Sequence, residues 1–196
     1  MKRSTFLHVV FVYLLACVFP VAAQADPAAG GSDPSVVIKT SMGSITVELD
    51  PAHAPKTVAN FLSYVDKKAY DGTIFHRVIP GFMIQGGGFK PDMTEISYDA
   101  PVANEAPSSG LKNARGTIAM ARTSDPDSAT AQFFLNLVDN AMLDPNEQGP
   151  GYAAFGKITK GLDVMDNIAK VQTTTVGQNE NVPVATVTIE SVRRVK

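Results

Sequence analysis

Short runs in which apolar and polar residues alternate make up most of the chain beyond residue 34. Successive side chains of a β-strand point to opposite faces, so this pattern predicts strands with one buried face. Gly, Pro, Asn and Asp residues, which favour turns, separate the runs. The predicted strands are 36–40, 44–49, 75–79, the second half of 75–88, 116–121, 132–137, 152–158 and 184–192.

Two other segments carry apolar residues at helical spacing. The first begins near Pro55, which suits the first turn of a helix, and its apolar stripe is Val58, Phe61, Leu62 and Val65. The second covers 162–171, with a stripe of Leu162, Met165, Ile168 and Ala169. Helices so far apart in sequence do not form βαβ units. The pattern therefore predicts a mainly β fold, a closed antiparallel barrel with a helix over each open end.

Residues 35–196 are predicted to form this single domain, and 26–34 read as a linker rich in Pro, Gly, Ala and Ser. Within the domain, no element is predicted over the polar stretch 90–112. A loop of that length is uncommon and is often functional.

Residues 1–25 have the features of a secretory signal peptide. Lys2 and Arg3 form a positive start, 6–19 is apolar, and Ala23-Gln24-Ala25 is a small-residue cleavage site. We therefore expect export to the periplasm and no transmembrane span in the mature form. A competing interpretation is a lipobox at 14–17, which would leave a lipid anchor on Cys17.

Composition excludes several classes of function. The net charge of −2 gives no basic surface for nucleic acid, and the single cysteine, Cys17, lies within the predicted signal peptide. His53 and His76 stand apart from each other, so no metal site is expected. No G-x-S-x-G motif is present, and 86–88 lacks the Lys-Ser/Thr that completes a phosphate loop. We interpret Gly86-Gly87-Gly88 as flexible backbone beside a pocket, and we expect no cofactor.

The hairpin at 75–88 places one cation among apolar residues. Phe75, Arg77 and Ile79 are predicted to share one face of its first strand, and Pro80-Gly81 favours a tight turn. The second strand would bring Phe82, Met83 and Gln85 back towards Arg77. Taken alone, this pattern is also consistent with an ordinary surface arginine.

Four segments of the chain resemble the signature of the cyclophilins: 75–87, 116–121, 128–134 and 155–157. Their order and spacing agree over about 36–195. With the predicted signal peptide, the chain most resembles the periplasmic A-type cyclophilins of Gram-negative bacteria. The resemblance implies an eight-stranded antiparallel barrel capped by two helices. It also implies peptidyl-prolyl cis-trans isomerase activity on proline-containing unfolded or flexible polypeptides, in the folding of exported proteins. We expect a monomer.

The resemblance also implies roles for individual residues. Arg77 would be catalytic. The remaining implied substrate-binding residues are Phe82, Met83, Phe134 and Leu143 as the proline pocket, Gln85 and Gln132 beside it, Ala121 and Arg122 as the edge that pairs with substrate, and Phe75 and His76 as flanking residues.

Three further features depart from the common eukaryotic pattern. Met142 stands where those proteins have Trp, Tyr152 where they have His, and Arg122 where they have Asn. We expect each of the three to belong to the substrate site. The departures leave the arginine and the pocket intact, so they affect the expected inhibitor affinity and sequence preference rather than the activity.

Two other functions remain open at this point. The protein could be a proline-peptide binding module or holdase whose catalysis is incidental, or a structural component of the envelope if Cys17 is lipidated. Intact binding with Arg77 replaced would identify a binding module.

Overall fold

A computed structural model describes residues 33–195, so the predicted signal peptide and Cys17 lie outside the described residues. Within them, ten strands and three helices follow one another. The strands are β1 (Ser35–Thr40), β2 (Gly43–Leu49), β3 (Thr73–Ile79), β4 (Met83–Gly86), β5 (Thr117–Met120), β6 (Phe133–Asn136), β7 (Ala154–Lys160), β8 (Thr173–Val176), β9 (Asn179–Pro183) and β10 (Thr188–Arg194). The helices are α1 (Pro55–Asp66), α2 (Ala106–Ser109) and α3 (Leu162–Ile168).

Eight of these strands close into an antiparallel barrel, in the order β1-β10-β3-β4-β6-β5-β7-β2. Strand β1 lies between β10 and β2, where Ile38 is paired with Val192 on one side and with Ile45 on the other. All three side chains are fully buried. Alternation therefore places one face of each strand in the interior, as the sequence pattern predicts, and the eight-stranded closed barrel is confirmed.

Helix α1 fills one end of the barrel with its apolar stripe. The ring of Phe61 contacts Phe133 edge to face at 5.7 Å between centroids, and it also contacts Phe155 at 5.2 Å. The four stripe residues predicted from sequence are all buried. The second predicted helix is also present, but α3 ends at Ile168 rather than at 171.

The long polar loop contains α2, which the sequence pattern did not predict, so the described residues hold three helices. The loop also caps α1. The carboxylate of Glu105 accepts hydrogen bonds from the backbone N–H groups of Lys56 and Thr57 at 3.1 and 2.7 Å. Helix α1 has no side-chain cap of its own at Ala54, so Glu105 satisfies donors that would otherwise be orphaned.

The region after α3 differs most from the prediction. Strands β8 and β9 form a separate two-stranded hairpin, and the last barrel strand begins at Thr188 rather than at 184. The apolar Val184 fits the alternating pattern, so the predicted strand began there. Its side chain is 62% exposed, however, and lies in the connection between β9 and β10. The hairpin lies alongside β3, the strand that carries Arg77.

A β-bulge in β3 changes the face of one predicted site residue. Phe75 pairs with Gly86 and Arg77 with the next residue, Gln85, so the register shifts between them. The expectation that Phe75 and Arg77 share a face is therefore wrong. Phe75 points into the barrel, where it is fully buried, whereas Arg77 is half-buried on the outside.

Candidate active site

A cavity of about 130 Å³ lies on the outer surface of the barrel; we call it the outer cavity. It is lined by nine residues from the strands β3, β4 and β6 and from the loops that follow β3, β5 and β6. All nine belong to the predicted site: Arg77, Phe82, Met83, Gln85, Ala121, Arg122, Phe134, Leu143 and Tyr152.

The apolar floor of the outer cavity exists because β6 is buried on both faces. Phe133 points into the barrel core, while the next residue, Phe134, belongs to a second apolar cluster on the outside. Met83, Ala119 and Ala154 complete the buried part of that cluster. The side chain of Phe134 is 4% exposed, so the floor is a well-packed surface.

Arg77 is the cation at the edge of this apolar floor. Within residues 33–195, its guanidinium makes neither a hydrogen bond nor an ion pair with a protein group. Arginine offers five N–H donors in a planar fork and stays charged at any physiological pH. The donors of Arg77 are therefore available to a bound molecule.

A chain of polar side chains borders the cavity next to Arg77. Gln85 Nε2 donates to Gln132 Oε1 at 2.9 Å, and Gln132 Nε2 donates to Tyr98 Oη at 3.2 Å. A Cβ at Gly88 would collide with Gln132, so the glycine leaves room for this side chain. The interpretation of Gly86-Gly87-Gly88 as flexible backbone is wrong, because all three glycines are closely packed against neighbouring residues. Tyr98 lies in the long polar loop, where sequence patterns gave no signal.

The opposite rim is held by Arg122. Its guanidinium lies 4.3 Å from the ring centroid of Tyr152, a cation–π contact. Its Nε and Nη2 atoms both donate to the main-chain oxygen of Gly151, at 3.2 and 3.0 Å. Arg122 is therefore occupied by internal contacts, in contrast to Arg77.

Three buried asparagines behind the rim were not predicted to have any role. Asn136 Nδ2 donates to Asn113 Oδ1 at 3.2 Å, and Asn140 Nδ2 donates to Asn136 Oδ1 at 2.7 Å. Their exposed fractions are 1% for Asn113, 0% for Asn136 and 2% for Asn140. They form one continuous hydrogen-bonded network, which we call the asparagine network.

This network ends on the backbone of residues that line the outer cavity. Asn113 Nδ2 donates to the main-chain oxygens of Leu143 at 3.0 Å and Tyr152 at 3.1 Å. Asn140 Nδ2 donates to the main-chain oxygen of Phe82 at 2.9 Å. Three separate segments of the cavity wall are thus tied to one buried cluster. No short motif marks such a network, because its members lie on different strands and loops.

Four predicted site residues do not line the outer cavity. Phe75 is in the barrel core, and Gln132 lies one hydrogen bond away, behind Gln85. Met142 is 75% exposed on a 3₁₀ turn, Ala141–Leu143, that ends at the cavity residue Leu143. His76 is 5% exposed on the other side of Arg77.

The environment of His76 keeps it neutral. Burial and, to a smaller extent, the charge of Arg77 lower the pKa of His76 from 6.5 to about 4. Its Nδ1 atom is buried and has no hydrogen-bond partner among the described residues. The ring lies against Phe89, with 4.6 Å between the two centroids.

Residues 33–195 contain no group of three or more His, Cys, Asp or Glu side chains that could hold a metal ion. In the same part of the chain, no helix combines the length and the apolar character that crossing a membrane requires.

Comparison with known proteins gives a consistent result. The family model described as "Cyclophilin type peptidyl-prolyl cis-trans isomerase/CLD" matches residues 35–194. The chain is 50% identical over 179 residues to peptidyl-prolyl cis-trans isomerase A of Dickeya dadantii, which covers 91% of this chain and 94% of that protein. It is also 50% identical over 160 residues to peptidyl-prolyl cis-trans isomerase B of Escherichia coli, with 80% and 97% covered.

Among solved structures, the chain is similar to a cyclophilin-type peptidyl-prolyl cis-trans isomerase of Cryptosporidium parvum, crystallised in the presence of the dipeptide Ala-Pro. The TM-score is 0.71 with 28% identity, and the match covers 83% of this chain and 99% of that one.

Proposed function

The chain belongs to the cyclophilin-type peptidyl-prolyl cis-trans isomerases, and we propose that it assists the folding of exported proteins in the periplasm. We assign Arg77 as the catalytic residue on one observation. Its guanidinium lies at the edge of an apolar cavity and has no protein partner within residues 33–195. The signal-like sequence at 1–25 supports the cellular role.

The reaction is rotation about the peptide bond that precedes a proline. Partial double-bond character of the C–N bond gives a barrier of about 18–20 kcal/mol. Uncatalysed exchange takes tens to hundreds of seconds, which is slow enough to limit folding. No covalent bond forms or breaks, so the reaction requires no nucleophile, general base or metal from the protein.

Arg77 supplies the interaction that favours the transition state. In the twisted amide, the nitrogen loses conjugation and its lone pair becomes a hydrogen-bond acceptor. A fixed N–H donor directed at this nitrogen binds the twisted state more strongly than either planar state, and only such a difference accelerates the reaction. Because the surrounding floor excludes water, the interaction is stronger than it would be in bulk solvent.

The outer cavity supplies the grip on the proline ring. Phe82, Met83, Phe134 and Leu143 offer apolar contacts to a ring that carries no polar group. With the ring held, rotation moves the carbonyl side of the bond. The similar protein of Cryptosporidium parvum was crystallised in the presence of a proline-containing dipeptide, which supports a ligand of this chemical class.

A proline-isomerisation assay on the purified protein tests the mechanism. Arg77→Ala should lower kcat/KM by about 10²–10³-fold, as deletion of one preorganised donor does in other enzymes. Arg77→Lys keeps the positive charge but lacks the planar guanidinium, so its kcat/KM should lie between those of the parent and Arg77→Ala. Arg193→Ala is the matched control, since Arg193 pairs with Asp71 on the surface, away from the outer cavity. Activity of Arg77→Ala within about twofold of the parent would remove Arg77 from the mechanism.

The cellular role needs a separate experiment. Mass analysis of the N-terminus of protein recovered from the envelope should show a mature chain beginning at Asp26. A diacylglyceryl group on Cys17 would instead support an anchored envelope component. Refolding of an exported protein limited by proline isomerisation should accelerate with the parent and not with Arg77→Ala. Equal acceleration by both would favour a holdase.

A further inference from the structure

A second concave surface adjoins the outer cavity on the side of Arg77. This hairpin hollow has a volume of about 380 Å³ and shares Arg77 and Gln85 with the outer cavity. One wall belongs to the barrel and the other to the tip of the β8–β9 hairpin. Its remaining lining residues are His76, Phe89, Gln132, Gln178, Asn179 and Glu180.

The hairpin wall is polar and carries one negative charge. Glu180 is exposed, and its carboxylate makes no ion pair with any residue in 33–195. Gln178 and Asn179 lie on the same wall, and each side-chain amide has a carbonyl oxygen that can accept and an NH2 group that can donate a hydrogen bond. Glu180 is the one acidic side chain that lines the hollow. This wall is therefore suited to a positively charged group.

Apart from Arg77, the barrel wall carries no charge. His76 is neutral at physiological pH and its ring lies against Phe89. The methylene stem of a Lys or Arg side chain can pack against an aromatic face such as this one while its charged head stays in water.

The position of the hollow relates it to the substrate. A peptide with its proline in the outer cavity continues past Arg77 and Gln85, which line both spaces. At about 3.3 Å per extended residue, a side chain one or two residues from the proline reaches the hollow. We propose that the hairpin hollow is a specificity subsite for a substrate lysine or arginine one or two residues from the proline.

Arg77 does not reverse this preference. It is the one cation that lines the hollow, and an acidic substrate side chain could approach it. During the reaction, however, the donors of Arg77 are directed at the proline nitrogen. An acidic side chain that extended further would meet the carboxylate of Glu180. A long basic side chain instead places its stem over Phe89 and its charge next to Glu180.

The subsite rests on the isomerase function, so activity on an all-alanine peptide with one proline is measured first. Inactivity of the parent on that peptide would remove both proposals. The test proper uses peptides with Lys or Gln at each of the two positions before and the two positions after proline. Its readout is the Lys/Gln ratio of kcat/KM at each position.

At one of the four positions, the parent should prefer Lys by about two- to fivefold, as expected for an exposed ion pair. Glu180→Gln should bring that ratio to about 1, and Glu180→Lys should invert it. Raising the salt concentration should weaken the preference of the parent. Equal ratios in the parent and both Glu180 variants at all four positions would overturn the subsite.

Glu95→Gln is the matched control. Glu95 is also exposed, and it lines a neighbouring concave surface that shares Gln85 and Gln132 but no hairpin residue. The Lys/Gln ratio at the responsive position should survive this change. If Glu95→Gln abolished the preference as fully as Glu180→Gln, a general effect of net charge would replace the subsite.

Discussion

Replacing Asn113 with Ala should damage both the stability and the activity of the enzyme. The Asn113 side chain is 1% exposed and donates from Nδ2 to the main-chain oxygens of Leu143 and Tyr152. Its Oδ1 accepts from Asn136. Alanine would leave the main-chain oxygen of Tyr152 without a partner. It would also remove one of two hydrogen bonds from the Leu143 oxygen, which still accepts from the Tyr152 N–H, and from Asn136 Nδ2, which still donates to Thr117 Oγ1.

The size of the loss follows from those contacts. A buried group left without its hydrogen bond costs about 1–3 kcal/mol. One group left without a partner and two further hydrogen bonds lost, at about 0.5–1.5 kcal/mol each, together lower the free energy of unfolding by about 3 kcal/mol. A domain of this size is typically stable by about 5–15 kcal/mol, so the variant should still fold. Leu143 and Tyr152 would move relative to Phe82, which the network holds through Asn140.

Because a small displacement of binding groups is enough to slow an enzyme, we expect kcat/KM to fall by about tenfold, which corresponds to ~1.4 kcal/mol. Urea unfolding measures the stability, and the isomerisation assay is run where both proteins are fully folded. Asn146→Ala is the control: Asn146 is exposed, and its Nδ2 donates to the main-chain oxygen of Asp144 in the same loop. A variant that loses stability but keeps kcat/KM within twofold would refute the link between the network and the cavity.

Two further predictions concern residues beside the cavity. The pKa of His76 is lowered from 6.5 to about 4, so between these pH values the unfolded chain binds a proton that the folded chain does not. The free energy of unfolding should therefore fall by about 3 kcal/mol as the pH drops through that window. Urea unfolding at pH 7.5 and 4.5 should show that His76→Phe lacks this part of the pH dependence. An equal change of the unfolding free energy with pH in both proteins would contradict this prediction. The second prediction is that cyclosporin inhibits the parent weakly, because Met142 cannot donate the hydrogen bond that the Trp of sensitive relatives donates. In an inhibition curve, Met142→Trp should increase the affinity for cyclosporin about five- to 150-fold. An unchanged curve would exclude this role for Met142.

Much of the barrel follows from patterns that are local in sequence. Alternation in β1 and β2 and the helical stripe of α1 each bury a face, and burial is what an apolar pattern reports. The β8–β9 hairpin was missed because it is mostly polar: of its residues, only Val182 and Pro183 are buried. Burial therefore gives almost no signal there.

The site was predictable to the extent that it resembles a known family. That resemblance supplied all nine lining residues of the outer cavity, including Arg122 and Tyr152. The asparagine network was not predictable, because Asn113 and Asn136 look like loop and strand-end residues in the sequence. Their importance comes from burial, which brings together residues 23 apart in the chain. The predicted face of Phe75 was wrong because a β-bulge interrupts the alternation of side chains between the two faces of β3. No residue in β3 indicates a bulge.

The bulge also explains how one strand contributes side chains to both the barrel core and the outer cavity. Phe75 is anchored inside the barrel, and the shifted register then turns Arg77 outward beside Gln85. Between them, His76 is buried and neutral at physiological pH, so it adds no positive charge that would repel Arg77. A protonated His76 would be both desolvated and adjacent to a fixed cation, which is why its pKa is low. The same burial that weakens the protein in acid therefore leaves Arg77 as the one charged side chain of β3 at physiological pH.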